Sequence, residues 1–332
     1  MSLDSQRKTA AILRILGEAG RPLGSTKIAR DLRAAGFDLK QRMVRNYLEA
    51  TDRAGLTVNL GRRGREITPR GQEELASAVV MDKVGFIDAR ADELAYRMSL
   101  NLSRASGTVI VNLSTVPAGR LAEARATVAE VVRAGLGMGS YGAEVPGGGD
   151  LAGWRVPEGQ AALATVCSIT LNGALYAAGV PVSSRFGGLL EMREQTPLRF
   201  THVIHYGGTT LDPLEIFIKA RMTSVLEAAR TGSGVIGASF REVPASALAD
   251  TQRIVQQMTR AGLANLVIVG DPNRPLLDIP VGHGRAGVVV AAGLNPLAAV
   301  QEAGIPTENR ALARLCDFSR LKPLVELPKA RT

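Results

Sequence analysis

Cys167 and Cys316 are the only cysteines, and His202, His205 and His283 the only histidines, in a chain of 332 residues. Two thiols without a CxxC offer neither zinc spacing nor a disulfide framework. No metal centre and no cofactor are expected. These residue types allow one nucleophilic arrangement, Cys167 with His202 or His205. Nothing at recognisable spacing supplies a third member. Cys167 also lies in an apolar run, where a cysteine commonly serves as a small core residue. His202 and His205 are three apart, so on a strand they face opposite ways and at most one meets a ligand. The chain is not expected to be an enzyme, and a Cys/His-dependent activity stands as an alternative.

The richer chemistry is cationic. The formal net charge is +9, and it is unevenly spread: residues 1–75 hold 15 Lys plus Arg against 9 Asp plus Glu, or +6, and the remaining residues hold 25 against 22, or +3. A small basic domain that meets a polyanion, followed by a nearly neutral one, fits this asymmetry. Its elements can be read in order. Ala10, Ile12, Leu13, Ile15 and Leu16 form a helical stripe over residues 5–17, broken by Arg21-Pro22-Leu23-Gly24. Ser25 can cap a second helix with Ile28, Ala29 and Leu32 inward and Gly36 as its stop. A third helix is expected over residues 39–54 with Met43, Val44, Tyr47 and Leu48 inward. A strand at 56–60, a basic turn Gly61-Arg62-Arg63-Gly64-Arg65 and a return strand at 66–68 complete a winged helix-turn-helix.

In that fold the third helix enters the major groove and the hairpin lies along the backbone. The expected DNA-binding residues are Ser25 and Thr26, then Lys40, Gln41, Arg42, Arg45 and Asn46 on the outward face, and Arg62, Arg63 and Arg65 on the wing. A protein-interaction winged helix with a solvated basic face is the bland alternative. RNA binding has no stacking platform to recommend it, since aromatic residues are only 4%. Residues 71–80 read as a helical connector, which puts the domain boundary near residue 78.

Hydrophobic residues at 45% and charged residues at 21% describe an ordinary globular chain. No apolar run reaches the roughly 18–20 residues that span a bilayer, and the N-terminal segment lacks a signal peptide's apolar region. A cytoplasmic protein is expected, with no membrane partner.

The larger part is organised around a repeat. Gly107–Leu136 recurs as Gly234–Leu263, with 11 of 30 positions identical without a gap. Val116-Pro117-Ala118 returns as Val243-Pro244-Ala245, and Arg133-Ala134-Gly135-Leu136 as Arg260-Ala261-Gly262-Leu263. Leu171-Asn172-Gly173 then answers Leu294-Asn295-Pro296, and Ser184-Arg185 answers Asn309-Arg310. The expected fold is α+β: an N-terminal winged helix-turn-helix (1–77) followed by an internally duplicated, two-lobed α/β effector-binding and dimerisation domain (78–332), its second half starting at about residue 205.

An anionic effector wants NH donors, cations, hydroxyls and small residues that let backbone approach. Thr165, Cys167, Ser168 and Asn172 lie on an expected strand that turns into a helix starting at Asn172, an arrangement that suits an anion. Arg185, Gly187 and Gly188 add a guanidinium beside a double glycine, and His205, Thr209 and Thr210 precede another helix start, with Asp212 as cap and Pro213 at the first position. Asn172 and Asp212 can equally be plain caps, and the two glycines a plain turn. The Gly-rich stretch 142–154 lacks the spacing of a phosphate-binding fingerprint and reads as a lid or connector. Gly282-His283-Gly284-Arg285 is a weaker candidate in the second half.

Several stretches carry a family resemblance: RMVRNYL at 42–48, GRRGREIT at 61–68, DKVGF at 82–86, TVCSITLNG at 165–173, RFGGLLE at 185–191 and IHYGGTTLDPLEIFI at 204–218. They resemble the NrpR-type nitrogen repressors, which join a ribonuclease R-type winged helix to one or two regulatory domains. The match spans the chain, with one regulatory domain and the family's second one absent. The resemblance implies a homodimeric transcriptional repressor on double-stranded operator DNA, with affinity that falls when 2-oxoglutarate binds. The single regulatory domain and the Arg- and Ala-rich composition leave room for another oxo acid or an amino acid as effector.

Overall fold

The computed structural model describes residues 3–82 and 86–325. Lys83, Val84 and Gly85 of the DKVGF stretch lie outside the described residues. The chain divides into two compact units, Met1–Val84 and Gly85–Thr332.

In the first unit, α1 (Leu3–Ala19), α2 (Ser25–Ala34) and α3 (Gln41–Arg53) precede β1 (Thr57–Asn59), β2 (Arg65–Ile67) and α4 (Pro69–Asp82). The helix ends differ from expectation by a residue or two. α4 runs unbroken through residue 78, so the chain does not divide there. Ile12, Leu16, Ile28, Leu32, Val44 and Leu48 are buried together, each worth roughly 1.5–3 kcal/mol for leaving water. Met43 departs from the expected inward set. Val44, Leu48 and Thr51 define the buried stripe of α3, and Met43, next to Val44, is 43% exposed. Ser25 also differs from expectation: Gly24 occupies the cap position of α2 with no side-chain bond, and Ser25 is the first helical residue. Leu23 bridges Arg65, extending the β1–β2 pair by a third strand contact. Gly64 sits at that crossing with φ +103°, and a Cβ there would lie 2.4 Å from the Leu23 carbonyl. Only glycine fits.

The second unit opens with α5 (Phe86–Arg97) and continues through β3 (Thr108–Pro117), α6 (Leu121–Arg133) and β4 (Tyr141–Pro146). A small hairpin, β5 (Asp150–Leu151) and β6 (Trp154–Arg155), leads to β7 (Gln160–Val166), α7 (Thr170–Ala177) and β8 (Ser183–Arg193). The Gly-rich stretch is therefore strand and hairpin. Next come β9 (Thr196–His205), α8 (Pro213–Lys219) and α9 (Val225–Thr231). The second copy follows as β10 (Gly234–Pro244), α10 (Leu248–Arg260), β11 (Val267–Val269), β12 (Arg285–Ala291), α11 (Asn295–Glu302) and β13 (Glu308–Asp317), with β14 (Lys322–Pro323) last.

Each copy is thus a β-α-β-β-α-β unit, the ferredoxin-like order. The copies exchange their last strands. One sheet runs β13-β3-β7-β4-β14 and the other β11-β12-β10-β8-β9, with every neighbouring pair antiparallel. β8, the last strand of the first copy, pairs with β10, the first strand of the second; β13 pairs with β3 in return. The helices cross over in the same way, α6 packing on α11 and α7 on α10. A division at about residue 205 therefore does not separate two lobes, and the second copy starts at Gly234.

Candidate functional site

The winged helix presents a cationic face. Lys40, Arg42, Arg45 and Asn46 are exposed along α3, and Arg62 and Arg63 are exposed at the wing tip. Among the described residues, none of Lys40, Arg42, Arg45, Arg62 and Arg63 forms a salt bridge with a carboxylate. Unpaired side chains of this kind keep their charge available for phosphate or base edges. Gln41 donates from Nε2 to Thr26 Oγ1 at 2.6 Å and to Ser25 Oγ at 3.4 Å, and Arg45 Nε donates to Ser25 Oγ at 3.3 Å. Ser25 and Thr26 therefore hold the start of α3 against the start of α2.

Arg65 does something else. Its Nε donates to Asp52 Oδ2 at 2.8 Å, and Thr57 Oγ1 donates to the other carboxylate oxygen at 2.6 Å. The Arg65 and Asp52 side chains are only 15% and 22% exposed. The pair ties the wing to the third helix, so Arg65 belongs to the scaffold, not to the free wing tip with Arg62 and Arg63.

In the second unit a small cavity of about 20 Å³, lined by apolar side chains and a few polar ones, lies where the copies interlock, room for about one water molecule. Its wall includes Ser168 and Ile169 at the start of α7, Gly293 and Leu294 at the start of α11, and Asn112 from β3. Ser184 from β8, Tyr206 after β9 and Asp212 at the start of α8 complete the polar part. Gly293 is forced by packing: a Cβ would lie 2.0 Å from the Val166 carbonyl and 2.6 Å from Asn112 Nδ2. β13 bulges at residues 311–313, where Leu312, at φ +47°, donates its N–H to Asn112 Oδ1 at 3.3 Å. A non-glycine residue in that backbone region costs on the order of 1 kcal/mol, and such outliers gather at functional sites.

Behind this wall, bonded to Ser168 but not itself lining the cavity, lies Arg241, 1% exposed. Its Nη1 donates to the Ser168 carbonyl at 3.0 Å and to Asn172 Oδ1 at 2.6 Å; Nη2 donates to Ser239 Oγ at 2.7 Å; Nε has no partner. Asn172 Nδ2 donates onward to Ser184 Oγ at 3.0 Å. Burial disfavours the charged guanidinium and lowers its pKa. Asp212 accepts from the N–H groups of Leu214 and Glu215, capping α8. Burial, with the Glu215 charge adding to it, nevertheless pushes its carboxyl up to about 7. Burial also raises the Tyr206 phenol.

The expected effector residues divide three ways. Cys167 and Ser168 line the cavity, and Asn172 bonds Arg241 beside it. Asn172 is the third residue of α7, which starts at Thr170, so its side chain is spent on Arg241 and Ser184 and caps nothing. Thr165 Oγ1 accepts from Asn112 Nδ2 at 3.4 Å. The others stand elsewhere. Arg185 is the bulged residue of β8, its side chain half exposed and 3.6 Å from the buried Glu242 carboxylate. Gly187 and Gly188 lie inside β8, where Cβ atoms would meet Pro213 and the His202 carbonyl at 2.8 and 2.6 Å. They are packing glycines in a strand, not a turn. His205 is exposed at the end of β9, Thr209 Oγ1 donates to the Leu211 carbonyl at 2.7 Å, and Thr210 does not line the cavity.

The Cys/His alternative finds no geometry. Cys167 is buried and its thiol is pushed up to about 11 by burial, whereas His202 and His205 are both exposed on β9. Gly282 and Gly284 give their N–H groups to Glu242 and Asn273, which ties down that loop. Among the described residues no helix is long and apolar enough to cross a membrane, and no group of three or more His, Cys, Asp or Glu is placed to hold a metal. Arg241, Asn112, Ser184 and Tyr206 were not foreseen. The signal for Arg241 was the comparison of the two copies, which sets it against Ser114.

A winged helix with an exposed cationic face is thus followed by a duplicated α+β domain whose interlocked copies enclose a water-sized cavity with a buried arginine behind its wall. Residues 10–75 match the model of the ribonuclease R winged-helix domain, and residues 84–323 match the model of the NrpR regulatory domains NRD1 and 2. The chain belongs to the NrpR family. It is similar to the global nitrogen regulator NrpRI of Methanosarcina mazei, 33% identical over 96% of this chain and 98% of that one. It is 29% identical to the global nitrogen regulator NrpR of Methanococcus maripaludis over 94% of this chain, and spans about half (54%) of that relative's length. A crystal structure of a nitrogen repressor-like protein from Methanococcus jannaschii superposes with a TM-score of 0.61 at 27% identity, covering 71% of this chain and 97% of that one.

Proposed function

We propose that the chain is a transcriptional repressor. In this reading it binds double-stranded operator DNA as a homodimer through its winged helices, in the cytoplasm, and releases it when 2-oxoglutarate enters the duplicated domain. The observation that carries the DNA part is the unpaired cationic face of α3 and the wing tip, Lys40, Arg42, Arg45, Arg62 and Arg63. The names of the relatives support a role in nitrogen regulation. A two-fold dimer presents two third helices to an inverted repeat. By linkage, DNA must weaken effector binding by the factor through which the effector weakens DNA binding.

The test is to enrich a random duplex pool on the full-length protein and measure affinity for the enriched sequence with and without 2-oxoglutarate. An inverted repeat whose affinity falls with 2-oxoglutarate is the expected outcome. Failure to enrich any sequence overturns the operator reading, and an affinity indifferent to the metabolite overturns the 2-oxoglutarate reading.

A further inference from the structure

We propose that Arg241 is the receptor for one carboxylate of the effector, reached through the cavity beside Ser168 and Ser184, and that the equivalent place in the other half takes none. The inference rests on the effector reading and assigns it a residue and a stoichiometry of one anion per chain.

Arg241 is a buried cation whose bonded neighbours are all neutral: a carbonyl, an amide oxygen and a hydroxyl, with Nε unmatched. A buried charge is costly unless a counter-charge offsets it. Among the described residues no carboxylate forms a salt bridge with it. An arriving carboxylate supplies the missing charge and can take a guanidinium in bidentate fashion. The approach favours anions. α7 and α11, each eight residues long, both start at the cavity wall, and helix starts carry partial positive charge. Asp212 is the wall's own carboxyl. Its burial favours the neutral form, so it repels an incoming anion less than an exposed aspartate would.

The cavity is too small for a dicarboxylate as it stands. Entry must take Asn172 off the guanidinium and shift the strained bulge of β13 at Leu312. That bulge comes from the second copy and Asn172 from the first, so ligand entry moves the two copies against each other. The equivalent place in the other half holds a neutral pair. There Ser114 Oγ donates to Asn309 Oδ1 at 2.7 Å, and no arginine stands behind it.

The test is calorimetric titration of the full chain with 2-oxoglutarate, succinate, glutamate, oxaloacetate and citrate, on the wild type, Asn172→Asp and Ser114→Ala. Asn172→Asp puts a carboxylate where Asn172 Oδ1 now lies 2.6 Å from Arg241, supplying the counter-charge internally with no change of shape. Its melting midpoint, measured alongside, is expected to hold or rise. The wild type and Ser114→Ala are expected to bind one ligand per chain, and Asn172→Asp to bind about tenfold or more weakly. Undiminished binding by a folded Asn172→Asp, or two ligands per chain, overturns the receptor and leaves the 2-oxoglutarate reading standing. Binding of another carboxylate in place of 2-oxoglutarate, lost in Asn172→Asp, overturns the 2-oxoglutarate reading and keeps the receptor. A wild type silent to the whole panel overturns both.

Discussion

Arg241 and Ser114 occupy the same place in the two copies of the duplicated domain. Arg241 is the register partner of Ser184 across β10 and β8, and Ser114 is the register partner of Asn309 across β3 and β13. Ser184 and Asn309 correspond in the repeat, so the equivalence holds on both strands of each pair. At one junction a charge is buried; at the other a neutral hydrogen bond closes the gap.

The cationic face separates two kinds of contact. Arg42→Ala is expected to weaken binding to the enriched operator by roughly 1–3 kcal/mol, more than to random duplex. Arg62→Ala and Arg63→Ala should weaken both alike and reduce the salt dependence by about one ion each. Competition binding at several salt concentrations tells them apart, and equal losses for Arg42→Ala would assign it to phosphate.

Arg65 should behave unlike its neighbours on the wing. Arg65→Ala removes the link to Asp52 and should cost the winged helix roughly 1–3 kcal/mol, lowering its melting midpoint. Arg62→Ala leaves that midpoint in place. A normal melt with selectively lost DNA affinity in Arg65→Ala would count against the scaffold role.

Gly64→Ala should be more disruptive than either. The left-handed backbone and the Leu23 carbonyl both exclude a side chain, and a cost of roughly 2 kcal/mol or more is expected. Thermal or urea unfolding of the full chain measures it.

Asp212 should make stability depend on pH. Its folded pKa, about 7, is raised above the ordinary value of 3.8. In between, the native state holds a proton that the unfolded chain has lost. The contribution is therefore fully present below about pH 4, declines as pH rises and is gone above about pH 7. Asp212→Asn keeps a cap oxygen for Leu214 and Glu215 and should flatten that decline. The melting midpoint from pH 4 to 8, compared between the two proteins, checks it. The groups that share its surroundings are Glu215, Tyr206, Cys167 and Arg241.

Local chemistry was legible in the sequence where a single residue dictates it. Asp212 with Pro213 announces a helix start, and apolar stripes at helical spacing followed by a Gly-framed turn between two short strands announce three helices and a hairpin. Met43 shows the limit of periodicity, since a stripe one residue out of phase turns a side chain to solvent. The exchange of β8 and β13 was hidden for a different reason. Which strand a β-strand pairs with is settled by contacts far apart in sequence, and the repeat gives both copies equal claims. Arg241 was overlooked because an apolar strand pattern treats one arginine as noise. Arg185 drew attention by standing beside two glycines, yet it is the bulged residue that the strand turns outward.

The strand exchange also says something about history and divergence. Two separate copies trading strands would depend on concentration to find one another. Joined in one chain they meet at a fixed effective concentration, whatever the protein level in the cell. Once tethered, the copies no longer need to remain identical for each to fit its partner. One position could then become arginine and its counterpart serine, which a symmetric pair of identical chains could never do.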